Sequence, residues 1–278
     1  MSQQPSILIT GCSTGIGYYC AKSLQRDGWK VIASCRQSDD VSRLQNEGLT
    51  CIQLDVASSQ SIKDGLKKTL ELTGGTLDAL FNNGAYGQPG AVEDLTRDTL
   101  QKQFDTNFFG WCELTNAVIK VMHQQDAGRI VHNSSVLGFA AMPFRGAYNA
   151  SKFALEGITD TLRLELADTN ISVSLIEPGP IRSEFRANAL RALDSNIDIN
   201  SSRFGFQYAS AIARLSKPGP ASRFTLEPEA VYKKLRHALT AKKPKPRYYV
   251  TFPTHLMGAL KRILSTRAMD NILGRIKS

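Results

Sequence analysis

Short apolar runs alternate with segments of helical period along most of the chain. The candidate strands lie at 5–10, 29–35, 50–54, 77–82, 128–134, 171–177 and 247–251. The candidate helices lie at roughly 15–27, 58–73, 97–123, 147–169 and 227–240. Several strands are apolar without interruption, as expected when helices cover both faces of a sheet. The pattern predicts an α/β fold with a doubly wound parallel sheet of about seven strands.

The length of 278 residues allows one large core, so we expect a single domain over residues 1–250. Residues 182–225 interrupt the rhythm with scattered aromatic side chains and no clear period. A segment of this length is more often functional than idle, and we interpret it as a helical lid or a substrate loop. Residues 251–278 are expected to form a basic, helical C-terminal extension.

The net charge of +9 is concentrated at the C-terminus, where residues 241–278 carry nine basic residues and one acid. A nucleic-acid-binding surface spread over the protein is therefore not expected. Between residues 256 and 277, leucines and isoleucines are interspersed with lysines and arginines. Such a helix can lie on anionic lipid, but packing back on the domain, beside the substrate entrance, is the commoner arrangement.

Cysteine and histidine usage favours a cytoplasmic protein without a metal site. The five cysteines form no C-x-x-C pair, which fits free thiols in a reducing compartment. The four histidines have no ligand spacing and are interpreted as satisfied structural residues. The N-terminus does not resemble a signal peptide, and no apolar run reaches the roughly 18 residues of a spanning helix.

A glycine-rich turn, Thr10-Gly-Cys-Ser-Thr-Gly-Ile-Gly17, follows the first strand and opens a helix. Its glycines allow a tight turn, a close approach to pyrophosphate and close packing of helix on strand. The N-terminus of the helix offers free N–H groups and a positive dipole end to phosphate. Glycine turns also occur for structural reasons, but the position after the first strand favours a dinucleotide site and a Rossmann-type fold.

The end of the second strand indicates which dinucleotide is bound. An acid there would bind the adenosine ribose hydroxyls, whereas an arginine accommodates a 2′-phosphate. The sequence is Ala33-Ser-Cys-Arg36, with no acid before Asp39. Because a guanidinium offers phosphate a planar fork of donors, we predict NADP(H) as cofactor. The alternative is that Arg36 is a solvated loop residue.

Tyr148 and Lys152 are four residues apart in a predicted helix, one turn apart on the same face. A lysine cation beside a phenol favours the phenolate, so we expect Lys152 to lower the pKa of Tyr148. The pair is then a candidate for exchanging a proton with a carbonyl or alcohol oxygen. Ser135 precedes Tyr148 by thirteen residues.

Together these motifs resemble the short-chain dehydrogenase/reductase family, densely from residue 5 to about 180 and more loosely beyond. Thr106-Asn-Phe108 is similar to the segment that carries the family's catalytic asparagine, and Asn133-Ser-Ser135 to its serine segment. The spacing to Tyr148 selects Ser135 over Ser134. The resemblance implies a catalytic set of four residues, which are Asn107, Ser135, Tyr148 and Lys152.

The resemblance also implies a cofactor site built from the segments that follow successive strands. Its expected residues are Gly11, Ser13, Thr14, Gly15, Ile16, Gly17, Arg36, Asp55, Val56, Asn83, Gly84, Tyr148, Lys152, Pro178, Gly179, Ile181 and Ser183. Gly84-Ala85 reverses the family's usual order, which leaves the backbone path beside the cofactor open. Ser183 stands where the family more often has threonine.

In the chemistry that this resemblance implies, Ser135 donates a hydrogen bond to a carbonyl oxygen and Tyr148 supplies the proton. Lys152 also holds the nicotinamide ribose, and Asn107 anchors a water that links Lys152 to solvent. Within the family, the chain is most similar to the branch of 17β-hydroxysteroid and retinol dehydrogenases, and there to bacterial NADPH-dependent aldehyde reductases. Segments such as Asn107-Phe-Phe-Gly110 and Ala221 to Val231 carry this finer likeness.

The expected function is therefore NADPH-dependent reduction of an aldehyde or a ketone. Hydroxysteroid or retinol dehydrogenation is the alternative, and a non-catalytic NADP-sensing regulator is a second. The substrate is expected to be an apolar small-molecule carbonyl or alcohol, because Phe139, Met142 and Phe144 follow Ser135; these side chains could equally be core. Arg145 and Arg182 stay open as carboxylate ligands. The family resemblance implies a homodimer or homotetramer assembled through the helix that carries Tyr148.

Overall fold

Seven parallel strands form one sheet in a computed structural model that describes residues 4–275. The strands are β1 Ser6–Ile9, β2 Lys30–Cys35, β3 Thr50–Gln53, β4 Ala79–Asn82, β5 Gly128–Asn133, β6 Ile171–Glu177 and β7 Arg247–Tyr249. Their order across the sheet is β3-β2-β1-β4-β5-β6-β7. The predicted parallel α/β sheet is confirmed. The ends of the predicted domain and extension, residues 1–3 and 276–278, lie outside the described residues.

Eleven α-helices accompany these strands in the described part of the chain. They are α1 Gly15–Arg26, α2 Ser38–Asn46, α3 Ser59–Thr73, α4 Arg97–Phe104, α5 Gly110–Gln124, α6 Gly146–Glu165, α7 Phe185–Asn196, α8 Gly205–Ser216, α9 Glu229–Thr240, α10 Phe252–Ile263 and α11 Thr266–Leu273. None of the helices between residues 4 and 275 combines the length and hydrophobicity that crossing a bilayer would need.

Strand β1 shows why the sheet is covered on both faces. Its four residues are all buried, and successive side chains point to opposite sides. Ile7 and Ile9 pack in a core with α1, α2 and α9, whereas Leu8 packs in a second core with α3, α5 and α6. The chain runs outward from β1 to β3 and returns to β4 on the other side of β1. The carboxyl ends of β1 and β4 therefore form the switch point of the sheet, where doubly wound folds bind ligands.

Two local features differ from the predicted helices. Helix α2 was not predicted, because Ser38–Asn46 is polar and buries only Leu44. The predicted helix at 97–123 is helical throughout, but residues Asp105–Phe109 between α4 and α5 adopt a π-helical turn. Such turns inside helices occur frequently at functional sites.

Residues 182–225 contain helices α7 and α8, which share a buried cluster that includes Leu193 and Tyr208. The hydroxyl of Tyr208 accepts the N–H of Ala91 at 2.9 Å and donates to Asp94 at 2.6 Å. The segment is therefore helical and docked on the loop that follows β4. The aromatic ring of Phe144 also packs on it, against Phe204 and Tyr208.

The C-terminal extension packs back on the sheet domain. Met269 and Leu273 of α11 are buried with Ala140, and Val136 and Phe139 pack on the same cluster. The extension therefore covers the segment directly after Ser135. Of the two arrangements that the sequence left open, binding to anionic lipid and packing on the domain, the structure shows packing on the domain.

A buried ion cluster fixes the edge strand β7. The guanidinium of Arg247 contacts Glu156 and Asp160 of α6 and Glu177 at the end of β6, the last two at 2.7 and 2.6 Å. Glu177 is fully buried, and burial raises its pKa to about 8. Arg247 thus balances carboxylates that the interior would otherwise exclude.

Arg247→Met should destabilise the protein by about 3–5 kcal/mol, because it leaves buried acids without their cation. Since the folded variant would hold the Glu177 proton up to a still higher pH than wild type does, the loss should grow as the pH rises above about 8. Thermal unfolding at several pH values measures this. Arg163→Met is the matched control, because Arg163 pairs with the same Asp160 at the surface and should change stability by about 0–1 kcal/mol. Equal losses in the two variants would contradict the buried-cluster assignment.

Candidate active site

The glycine turn between β1 and α1 lies against the loop that follows β4. Gly11 has a φ of +69°, and a Cβ there would collide with the backbone of Gly84. A Cβ at Gly17 would collide with the carbonyl oxygen of Gly11. These close approaches explain why glycine stands at both positions. They also explain why glycine precedes alanine at positions 84 and 85. A Cβ at position 84 would lie only 3.2 Å from the backbone of Gly11.

Hydrogen bonds lock the two loops together. The hydroxyl of Thr10 accepts the N–H groups of Asn83 at 2.9 Å and Gly84 at 3.0 Å. In return, the amide of Asn83 donates to the carbonyl oxygens of Thr10 and Gly11, both at 3.1 Å. This role of Thr10 was not predicted, because a threonine at the end of a strand belongs to no recognisable motif.

The carboxyl edge of the sheet also brings the other predicted cofactor residues together. Ser13, Thr14, Gly15 and Ile16 lie in the turn, and the Thr14 hydroxyl makes no capping bond to α1. Ser183, after β6, lies against Gly15, where a Cβ would approach the Ser183 side chain at 2.9 Å. The first turn of α1 therefore keeps its N–H groups available for an anion.

The remaining predicted positions follow their strands at the same edge. Asp55 accepts the N–H of Ala57 at 3.0 Å, and Val56 is buried beneath the start of α5. The carbonyl oxygen of Pro178 accepts the N–H of Val136 at 2.8 Å. Gly179 lies against the Thr251 side chain, and Ile181 forms a bridge to Leu226.

Two arginines lie near the carboxyl end of β2 and the glycine turn. Arg36 directly follows β2, is exposed and has no carboxylate partner within residues 4–275. Arg43 of α2 donates to the carbonyl oxygen of Ser13 at 2.6 Å and pairs with Asp40 and Glu47. Arg43 was not predicted, because its helix was not predicted. Of the two guanidinium groups, that of Arg36 is the one without a carboxylate partner among the described residues.

Tyr148 and Lys152 lie one turn apart on α6, as predicted, and both are buried. The Lys152 ammonium donates to the carbonyl oxygen of Asn133 at 2.8 Å and lies 4.2 Å from the centroid of the Trp111 ring. The amide of Asn133 in turn donates to the side-chain oxygen of Asn83 at 2.9 Å. A chain of hydrogen-bonding side chains thus connects Lys152 with the glycine turn.

The ionisation of this pair differs from the prediction. Burial raises the pKa of Tyr148 to about 12, while Ser135 and Arg145 act in the opposite direction. Burial also lowers the pKa of Lys152 to about 7, against the influence of Glu156. The expectation that Lys152 lowers the pKa of Tyr148 is therefore wrong for this arrangement. The reason is that desolvation penalises both charged forms, and spacing in a sequence does not reveal it.

Asn107 and Ser135 both hold backbone near Tyr148. The Asn107 amide, in the π-helical turn, accepts the N–H of Tyr86 at 3.2 Å and donates to the Tyr86 carbonyl at 2.8 Å. The Ser135 hydroxyl accepts the N–H of Leu137 at 3.1 Å, capping a short 3₁₀ turn. Both side chains thus have a structural partner, and the water predicted at Asn107 stays a prediction.

Phe185 of α7 is the aromatic residue that faces Tyr148, with ring centroids 5.3 Å apart. Phe139 instead packs on Tyr249, and Phe144 packs on Phe204 and Tyr208. Both rings are half-buried, and Phe144 also lines a cavity with Phe204, so the predicted apolar pocket stays a prediction. His132, also near the site, is buried against Trp111, and its Nδ1 has no partner within residues 4–275. The described residues contain no cluster of metal ligands.

Comparison with known proteins gives consistent matches. A model of the short chain dehydrogenase family matches residues 5–194. The uncharacterized oxidoreductase YbbO of Escherichia coli K12 is 43% identical over 97% of this chain and 94% of its own length. Retinol dehydrogenase 8 of Bos taurus is 38% identical over 68% of this chain and 63% of its own. A crystal structure of a short-chain dehydrogenase from Streptomyces avermitilis superposes with a TM-score of 0.78 at 25% identity, covering 98% and 96% of the two chains.

Lys152→Met should raise the melting temperature, because it removes a buried charge that the fold tolerates at a cost. We expect the free energy of unfolding to increase by about 1 kcal/mol or more. Each kcal/mol corresponds to a rise in melting temperature of about 2–4 °C. The pKa of Lys152 is about 7 in the folded protein, well below its ordinary value. Wild type therefore regains stability as the pH rises through and above 7, and the advantage of the variant should be largest below pH 7.

Thermal unfolding of both proteins, measured from about pH 5.5 to about pH 9.5, gives the difference in stability. Lys120→Met on the exposed face of α5 is the control and should show no pH-dependent gain. A Lys152→Met variant that is less stable than wild type at every pH would contradict the assignment.

Proposed function

Because the chain belongs to the short-chain dehydrogenase family, we propose that this oxidoreductase reduces an aldehyde, or a ketone, with NADPH. The observation that carries the proposal is the connection of Tyr148 and Lys152 to the glycine turn through Asn133 and Asn83. This connection supports an acid–base role for the pair beside a cradle that would accept a dinucleotide. The catalytic set is Asn107, Ser135, Tyr148 and Lys152.

The cradle suits NADP(H) by its shape and charge. Gly11, Gly17 and Gly84 leave no side chain between the turn and a pyrophosphate, and α1 directs its N-terminus to the same place. The free guanidinium of Arg36 would hold the 2′-phosphate, with Arg43 beside it. When bound, NADPH supplies the hydride, and the protein supplies position and charge control.

Tyr148 is the proton donor in this proposal. Its pKa of about 12 keeps the phenol protonated at neutral pH, which suits an acid in the direction of reduction. The Ser135 hydroxyl donates a hydrogen bond to the same carbonyl oxygen and stabilises its developing charge. Oxidation of an alcohol would instead need the phenolate, which burial disfavours. A protonated phenol is thus the form of Tyr148 that the proposed reduction uses.

A second candidate is the oxidation or formation of a retinoid or steroid alcohol, which the likeness to retinol dehydrogenase 8 favours. A non-catalytic NADP-sensing regulator is the remaining alternative. Spectrophotometric NADPH oxidation with aldehydes, ketones, a steroid and retinal separates the three. Turnover of aldehydes supports reduction, preference for retinal or steroid supports the second candidate, and tight NADPH binding without turnover supports the regulator.

The proposal includes an assembly and a division of the chain. Residues 1–250 form the catalytic domain, residues 182–225 the lid over Tyr148, and residues 251–278 the basic extension. Phe153 and Leu164 are exposed on the same side of α6, as an intersubunit face would require, so we include a homodimer or homotetramer through this helix. The five cysteines are all free thiols, which suits a cytoplasmic site of action.

Tyr148→Phe should lower kcat for aldehyde reduction by about 100-fold or more, because it removes the proton donor and leaves the ring in place. NADPH affinity, followed by fluorescence titration, should change by less than about threefold, since Lys152 and the glycine turn remain. Phe185→Leu serves as a comparison, because it alters the packing on the Tyr148 ring but keeps the hydroxyl. A Tyr148→Phe variant with wild-type kcat would rule out the acid role.

Arg36→Ala should reduce the preference for NADPH over NADH by at least about tenfold, mainly through a higher KM for NADPH, because the 2′-phosphate loses its charged partner. Steady-state kinetics with both cofactors provides the ratio. Arg26→Ala is the control, since Arg26 ends α1 at the opposite edge of the sheet. An unchanged ratio in Arg36→Ala would show that Arg36 is only a solvated loop residue.

A further inference from the structure

Three arginines converge around the start of α6 and the two lid helices. Arg145 directly precedes α6, three residues before Tyr148. Arg186 lies on α7, next to the Phe185 ring that packs on Tyr148. Arg214 lies near the end of α8, and its backbone carbonyl accepts a hydrogen bond from Arg186 at 3.4 Å. We call Arg145, Arg186 and Arg214 the arginine cluster.

The arginine cluster has no carboxylate partner within residues 4–275. Other arginines of the same region do: Arg182 pairs with Glu227, and Arg203 pairs with Glu93. Arg145 reaches only the sulfur of Met142, at 3.7 Å, and Arg186 bonds to carbonyl oxygens. The Nε of Arg214 is buried and has no hydrogen-bond partner among the described residues.

This arrangement is electrostatically unfavourable as it stands. Burial and, to a smaller extent, the cation of Arg214 lower the pKa of Arg145 to about 10. Burial also lowers the pKa of Arg214, with Arg186 acting in the same direction. Partly buried cations and an unpaired N–H donor are costly unless an anion compensates them. The cluster therefore has the character of an anion site that the chain itself does not fill.

We propose that the arginine cluster binds the carboxylate of an oxo acid, whose aldehyde or ketone group meets Tyr148. The planar forks of guanidinium groups match a carboxylate in geometry as well as charge. The part of the substrate between its two polar ends would contact the ring of Phe185. This inference rests on the proposed reductase function and specifies its substrate class. The apolar substrate expected from the sequence thus gains a charged end.

Steady-state NADPH oxidation with 4-formylbenzoate and with its methyl ester tests the proposal, because the two share the reacting aldehyde and differ in charge. We expect kcat/KM to be at least about tenfold higher for the acid. Arg145→Gln and Arg214→Gln should each reduce this ratio by about tenfold. Arg191→Gln is the matched control, since Arg191 is an exposed residue of α7 and should leave the ratio unchanged.

Measurements on the unaltered protein keep the test independent of how the variants fold. Benzoate should inhibit turnover of the methyl ester competitively, at concentrations at least about tenfold below those needed for benzamide. If wild type turns over both aldehydes equally well and benzoate does not inhibit, the carboxylate site is refuted while the reductase function stands.

A binding measurement distinguishes the remaining outcomes. If neither aldehyde is reduced, calorimetric titration of 4-(hydroxymethyl)benzoate into the protein with NADP⁺ shows whether the anion site exists without the reductase function. Binding that is lost in Arg214→Gln but kept in Arg191→Gln would support the anion site and overturn the reductase function. Absence of binding would overturn both.

Discussion

The buried ammonium of Lys152 is the constraint on which the rest of the site depends. A cation in the interior must find partners, and here they are the carbonyl oxygen of Asn133 and the face of Trp111. The side chain of Asn133 reaches Asn83, and Asn83 reaches the backbone of the glycine turn. The bonds that solvate this one charge therefore also fix the distance between α6, which carries Tyr148, and the glycine turn. Neither end of the site can shift without disturbing the other.

Sequence patterns predicted the sheet because strands such as β1 and β4 are buried on both faces and are largely apolar in sequence. They failed at α2, where a polar surface helix buries Leu44 alone, and so they also missed Arg43. The order of the site residues along the chain was predictable from motifs. Their ionisation was not, because the pKa values of Tyr148 and Lys152 depend on burial, which spacing does not encode. The contact of Gly84 with Gly11 likewise needed coordinates.

The arginine cluster and the proton donor are electrostatically coupled. Arg145 lowers the pKa of Tyr148, and the phenolate would raise the pKa of Arg145 in return. A carboxylate bound to Arg145 would cancel part of this influence and keep the phenol protonated. In the proposed reaction, the charge that selects the substrate would also hold the acid in its donating form. Substrate recognition and proton transfer would then depend on the same cation, Arg145.

The π-helical turn at Asp105–Phe109 makes this region sensitive to chain length. Two side chains in and just after this turn bind the loop that follows β4. Asn107 donates a hydrogen bond to the carbonyl oxygen of Tyr86, and Trp111 donates to that of Gly84 at 2.9 Å. A π-helical turn holds one residue more than an α-helical turn, so losing one residue here would restore a regular α-helix and redirect the Asn107 side chain. Substitutions elsewhere along α4 and α5 leave this turn in place, whereas a single-residue deletion would release Tyr86. The stretch is thus constrained in length as well as in the identity of Asn107 and Trp111.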